Sequence, residues 1–532
     1  MLCQMPRRDV TRFEEAAFDR DPNATLGGTL RHSRLALVVS SLLLVAACGN
    51  RGDDTADTSA PTTAAPDTAA PDTDAPDTAA PDTGAPDTEA PTTEAPTTEP
   101  PPDAVMFGTM ESPCGPAGEA GVPTVAEGQN GGDPLKLGTA NSHGYEATPG
   151  LTIEMLDAAQ AFASWCNEQG GIRGLPIEIV DLDDKLFNAP PAMEQACSEV
   201  FAMVGGGFVF DDQMFPRFHE CGMISFAGYT VTPTAAMANG KIQPIPNPAL
   251  EKPASWLIWA AEAHAEDIQR TAIIYGDFLT TKVVAEQLEA TMDAVGGYTI
   301  VDRIPYNPGG EANWAPFAQR LKDGNVTAVT MVGSDSNLIL LAKAMREIGY
   351  VPNLVLQEAN FYTSAMVAEG DADATEGFLV RTAYAPFEEP ENFPGMQSYL
   401  DMMDTYKPDG KKAGLGLQAT SALLMFVTAA NTCLDSNDNV LERECVLAAG
   451  MAIDSWTGGG LHTETNPGSN LPPECGIIME VRDGKWQRLF PELGSEDDNG
   501  EGWHCDDPGY AEITGDFGDF TAGIDPNRAN SP

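Results

Sequence analysis

Between Cys48 and Asp103 the chain contains no leucine, isoleucine, valine or aromatic residue. Nothing in that stretch can offset the entropy of ordering it, which excludes a folded domain there. Basic residues are scarce throughout: 29 Lys and Arg stand against 79 Asp and Glu, a net charge of −50. Nucleic acid and anionic membrane surfaces are therefore excluded as partners of the globular part. The ten cysteines form no CxxC pair and the six histidines are scattered, so neither a zinc site nor a thioredoxin-type motif is supported. There is no GxSxG, HExxH or P-loop. Gly205-Gly-Gly207 fails GxGxxG because position 210 is Phe. Asp435-Ser-Asn-Asp-Asn439 begins like a calcium loop, but Val440 stands where glycine is required and Val446 where glutamate is required. The expectation is a protein that is not an enzyme and holds no metal and no cofactor.

The apolar run Leu35–Ala47 is thirteen residues long and falls short of the roughly 20 that span a bilayer. Arg31 and Arg34 give it a positive flank, and Val45-Ala46-Ala47-Cys48 resembles the bacterial lipobox. That resemblance implies cleavage before Cys48 and lipidation of its sulfur; the alternatives are an ordinary secretory signal with an incidental cysteine, or a buried helix. From Ala60 to Pro96 the pair Ala-Pro recurs every five residues, with Asp-Thr or Thr-Thr between. Proline at this density keeps a chain extended, and thirteen acids against Arg51 (net −12) add self-repulsion. At about 3.1 Å per residue such a tether reaches on the order of 150 Å. Arg51-Gly52-Asp53 is read as chance. The expected location is the outer face of the cell membrane, held by a lipid anchor alone.

Roughly 430 residues remain, enough for two domains. From Leu135 strands and helices alternate. Ile153, Leu156, Ala159, Phe162 and Cys166 recur at helical spacing, and the strands Thr271–Tyr275, Tyr298–Arg303, Ala328–Val332, Leu354–Gln357 and Gly377–Arg381 form a second series. Pro244, Pro246 and Pro248 mark a crossover between the two. This alternation predicts α/β architecture, with parallel sheets covered on both faces and ligands at the carboxyl ends of the strands.

The run Asn167-Glu-Gln-Gly-Gly-Ile-Arg-Gly-Leu-Pro-Ile-Glu-Ile-Val-Asp-Leu-Asp-Asp184 resembles a signature of type I periplasmic binding proteins, which include the leucine/isoleucine/valine-binding receptors of ABC importers. Arg270–Tyr275, Phe317–Lys322 and Ala342–Tyr350 fit the same family in order, and the likeness covers about Leu135 to Leu489. It implies two doubly wound lobes joined by three crossovers, closing on a ligand. The expected division is a signal (1–47), a tether (48–103), an N-terminal extension (104–134), lobe I (135–246 and 384–455), lobe II (247–383 and a hairpin in 456–490) and an acidic tail (491–532). The implied partners are a small-molecule solute and the membrane permease of an ABC importer; the alternative is a sensing receptor of the same fold.

By the resemblance, the lobe II acid that holds a ligand ammonium falls on Glu358, just past a strand end; otherwise it is a solvated loop residue. Asp335 is a second candidate acid, flanked by Ser334 and Ser336. In lobe I the family's serine-rich loop is replaced by Gly205–Asp212, whose glycines would let a ligand approach closely. Phe208 and Phe210 would form an apolar wall, or else be ordinary core or rim aromatics. Asp211 would repel a carboxylate. Gly228, Tyr229 and Thr230 form the second loop, and His143 and Tyr145 would close the pocket. The ligand implied is a small amine- or amide-bearing solute with an apolar portion.

Setting aside Cys3 and Cys48 leaves eight cysteines, for which spacing allows roughly a hundred connectivities. In a doubly wound sheet the helices after strands two and three tend to share a face, which favours Cys197–Cys221. Cys433–Cys445 would close a short polar loop. Cys114–Cys166 and Cys475–Cys505 would pin the two ends of the globular part.

Overall fold

The computed structural model describes residues 104–528 apart from residue 308. The signal, Cys48 and the tether lie outside the described residues.

Lobe I is built on five strands. They are β1 (Leu135–Asn141), β2 (Ile177–Asp183), β3 (Ala202–Val204), β4 (Ser225–Phe226) and β5 (Lys241–Ile242), with α1 (Ile153–Glu168), α2 (Ala189–Glu199) and α3 (Phe215–Glu220) between them. All are parallel, in the order β2-β1-β3-β4-β5. After a crossover, β6 (Glu251–Pro253) and α4 (Ser255–Ala263) open lobe II. There β7 (Thr271–Gly276), α5 (Leu279–Val295), β8 (Ile300–Tyr306), α6 (Ala315–Asp323), β9 (Ala328–Val332), α7 (Asp335–Glu347), β10 (Leu354–Gln357) and β11 (Leu379–Thr382) follow. Their order, β8-β7-β9-β10-β11, repeats that of lobe I. Each sheet thus reverses its winding once, beside β1 in lobe I and beside β7 in lobe II, and ligands of doubly wound sheets sit outside the carboxyl ends at such a point.

The chain returns to lobe I with α8 (Pro394–Tyr406), α9 (Gly414–Ser436) and α10 (Arg443–Met451). The helix α9 is long and apolar enough to cross a membrane, yet most of it is buried among α1, α10 and the sheet. A helix apolar all round is what a core position requires. Each fully buried side chain such as Leu423 or Phe426 contributes about 1.5–3 kcal/mol. A third crossover leads to the hairpin β12 (Cys475–Arg482) and β13 (Lys485–Phe490), antiparallel on the edge of lobe II and turned at Asp483-Gly484, both at positive φ.

Both ends of the globular part are packed down. Phe107 is buried against Trp165, and Thr124–Val125 pairs with Val440–Leu441. The acidic segment after β13 adds β14 (His504–Cys505) to β12 and β15 (Tyr510–Glu512) to β6, then reaches lobe I. The chain therefore passes between the lobes a fourth time. The disulfides are Cys114–Cys166, Cys197–Cys221, Cys433–Cys445 and Cys475–Cys505, the four pairings expected. The strand β4 is only two residues long, and Gly222 before it takes a positive φ at the end of α3.

Candidate functional site

The two winding reversals face each other. In lobe I, Phe210 follows β3, Phe187 follows β2 and Tyr145 follows β1. In lobe II, Phe278 directly follows β7. The Phe278 ring lies 5.4 Å from Phe210 and 5.7 Å from Phe187, and Phe187 touches Tyr145 at 5.7 Å. These rings make an apolar contact across the cleft between the lobes.

Phe208 is not part of it. Its side chain is wholly buried with Met193, Met214 and Phe215 in the core beneath the lobe I sheet, so it cannot wall a pocket. The glycines also have a different role from the one expected. A Cβ on Gly206 would lie 2.2 Å from the Ala140 nitrogen, and one on Gly228 would lie 2.2 Å from the Gly205 carbonyl oxygen. The absent side chains let strand ends approach one another, backbone against backbone, rather than a ligand.

Asp211 is buried, and its carboxylate accepts hydrogen bonds from the backbone N–H groups of Val231 (2.8 Å) and Thr232 (3.0 Å). It thereby ties the first lobe I loop to the second. Burial outweighs those bonds and lifts its carboxyl to about 6. Thr230 accepts from Lys241 Nζ at 3.1 Å. Beside it, the Tyr229 hydroxyl is buried and has no hydrogen-bond partner among the described residues. Burial, then the nearby Asp211, Asp184 and Glu154, push its pKa well above 10. His143 stands at the end of β1 with Nε2 3.0 Å from Asp181 Oδ2.

In lobe II, Glu358 is not a solitary acid. Arg381, on the neighbouring strand β11, donates through Nε to Glu358 Oε2 at 2.6 Å. Lys252 lies within the field of both, and burial lowers its pKa to about 8. Its Nζ donates to Asn247 Oδ1 at 2.8 Å, and Asn247 Nδ2 to the Thr230 carbonyl at 3.1 Å. One polar chain thus runs from the second lobe I loop through Asn247 in the crossover to Lys252 on β6, beside the Glu358–Arg381 pair. Among the described residues Glu358 Oε1 accepts no hydrogen bond, and the side chain is 33% exposed. Ser334 stands just before α7 with its hydroxyl bonded to the side chains of Ser336 and Asn337, while Asp335 accepts from Thr363 Oγ1 at 2.7 Å.

Sequence reasoning missed Phe278, Phe187, Lys252 and Arg381. Phe278 had a usable signal, being the first large side chain past the carboxyl end of β7, the lobe II counterpart of β1. A depression lined by Trp256, Trp259, Arg381, Phe490 and His504 lies beside α4 and shares Arg381 with the Glu358 pair.

Residues 148–485 match the family model described as periplasmic binding protein. The chain belongs to that family. Its fold is that of a type I periplasmic binding protein, and solute binding follows at the level of the family, which is one of binding proteins rather than enzymes. Among solved structures, a fatty acid ABC transporter substrate-binding protein from Thermomonospora curvata is similar, with 17% identity and TM-score 0.59, covering 71% of this chain and 97% of that one. A possible leucine/isoleucine/valine-binding protein from Rhodopirellula baltica SH 1 gives 15% and 0.54, with coverages of 68% and 97%. A leucine-binding protein from Thermotoga maritima MSB8 gives 14% and 0.53, with 67% and 97%. These likenesses concern the fold. No curated protein matches the chain.

Proposed function

We propose that this binding protein is an exported lipoprotein, anchored through Cys48, that captures a small amine- or amide-bearing solute between its lobes and delivers it to the permease of an ABC importer. The observation that carries the solute reading is the meeting of the two winding reversals across one cleft, at Phe210 and Phe278. To that contact the reading adds a few specific polar groups, as a small-molecule site requires. Glu358 offers Oε1 while Arg381 holds Oε2. A donor on the ligand, an ammonium or an amide N–H, completes the carboxylate, and the Arg381 charge beside it suits an amino-acid-like group carrying both signs. Tyr229 supplies a hydroxyl whose burial without a partner is costly until a ligand group meets it. Phe210, Phe278 and Phe187 would flank the apolar portion, with His143 and Tyr145 at the rim and Ser334 and Asp335 at the lobe II end.

The transport role accords with the ABC transporter substrate-binding proteins that share the fold. Native mass spectrometry of the protein purified from its own cells tests the reading. A bound amine- or amide-bearing solute, lost on denaturation, is expected. Failure to take up any such solute from a metabolite mixture would overturn it.

A further inference from the structure

The acidic segment after β13 is fastened to both lobes. At its lobe II end Cys505 is bonded to Cys475 of β12. Past that, the Gly509 carbonyl accepts from the N–H groups of Ala254 (2.8 Å) and Ser255 (3.1 Å), β15 pairs with β6, and the Ile513 N–H donates to the Leu250 carbonyl at 2.7 Å. At its lobe I end the Asp519 carbonyl accepts from Thr234 Oγ1 at 2.9 Å. Asn239 and Asp525 exchange two bonds: Asn239 Nδ2 donates to the Asp525 carbonyl (2.8 Å) and the Asp525 N–H to Asn239 Oδ1 (3.0 Å). Arg528, with its side chain 8% exposed, donates to the Met223 carbonyl at 2.7 Å and to Glu444 at 2.6 Å, and lies over the Phe218 ring.

We infer that residues 504–528 act as a strap that restrains opening of the lobes, an inference resting on the reading that they open and close around a solute. Only six residues lie between Glu512, fixed on β6, and Asp519, fixed on lobe I, seven steps with a reach of at most about 25 Å. The strap lies alongside the first crossover and doubles it. A rotation that a single flexible link would allow must here stretch 513–518 or pull 519–528 off lobe I. All of these contacts coexist with the contact of Phe278 on Phe187 and Phe210, so the strap favours the closed arrangement.

The test measures the distance between spin labels on the full chain at Asn188 and Lys282, exposed positions on either side of the cleft, with no ligand present. Ending the chain after Glu512 should shift the distribution to longer, broader distances. The double variant Asn239→Ala, Arg528→Ala, which keeps the chain length, should shift it the same way. Hydrogen exchange over 519–528 reports whether the strap has left lobe I in the double variant. Distances unchanged in the truncated chain, or in a double variant whose strap is released, would overturn the proposal. Because no solute enters the measurement, failure to find one would count against the transport reading and leave this result standing.

Discussion

The ring of Phe278 in lobe II meets that of Phe210 in lobe I edge to face, with centroids 5.4 Å apart and planes at 81°. Such a pair contributes about 0.5–1.5 kcal/mol beyond its buried area, and this one forms only when the lobes are together. Phe278→Ala should therefore leave each lobe's core intact while shifting the population towards open forms. Small-angle scattering without ligand should show a larger radius of gyration, with far-UV circular dichroism unchanged. An unaltered scattering profile would mean that the contact contributes nothing to closure.

Glu358 supports a second expectation. Removing a charge-assisted acceptor from a ligand donor costs about 1.5–3 kcal/mol, roughly ten- to a hundred-fold in affinity. Glu358→Ala also strips Arg381 of its partner, so some loss of thermal stability accompanies it. Glu358→Gln keeps the shape and an oxygen acceptor. Calorimetric titration with the identified solute should rank wild type above Glu358→Gln and Glu358→Ala last. Equal affinities would remove Glu358 from the site.

Both kinds of outcome trace to identifiable physics. The strand series was legible because β-branched runs such as Thr271–Tyr275 leave little choice of conformation, and the final turn because Asp483-Gly484 fits a two-residue hairpin. The disulfides were legible once Cys197 and Cys221 were placed on successive helices of a doubly wound sheet. Phe208 stayed undecided between pocket wall and core because a residue just past a strand can turn inward, and strand alternation says nothing about a loop. Arg381 escaped notice because its meeting with Glu358 depends on the register of two parallel strands whose partners lie 23 residues apart. Phe278 meets Phe210 only through the arrangement of the lobes. The fourth passage between lobes was illegible for another reason. Apart from the Cys475–Cys505 bridge, its attachments are hydrogen bonds to backbone groups, to Thr234 and Asn239, and one buried arginine, and an acidic composition gives no sign of any of them.

The anchor is tested at Cys48. Cys48→Ser should release the protein into the aqueous fraction or leave it as an unprocessed precursor. Metabolic labelling with a fatty acid should mark the wild type and not the variant. An unlabelled wild type would end the lipoprotein reading.

The last expectation concerns pH and the third crossover. His462 is buried, and its ring bridges the Ser421 hydroxyl (2.9 Å) and the Thr463 carbonyl (2.7 Å). A carbonyl can only accept, so Nδ1 carries the proton and Nε2 accepts from Ser421, whose oxygen in turn accepts from Trp456 Nε1 at 2.9 Å. The arrangement needs a neutral imidazole, and burial lowers its pKa from 6.5 to about 4. A histidine lowered in the folded state contributes its stability above the unfolded value and loses it as pH falls from 6.5 towards 4. The loss is about 3 kcal/mol over that window. Asp211 works in the opposite direction, since a carboxyl raised to about 6 favours the fold as pH falls from 6 to 4. The wild-type curve alone therefore understates the histidine. His462→Gln keeps one donor and one acceptor and cannot titrate. Urea denaturation at pH 7 and pH 4.5 should show the variant losing less stability on acidification than the wild type, by about 2–3 kcal/mol. Equal losses in the two proteins would show that His462 is not held neutral in the fold.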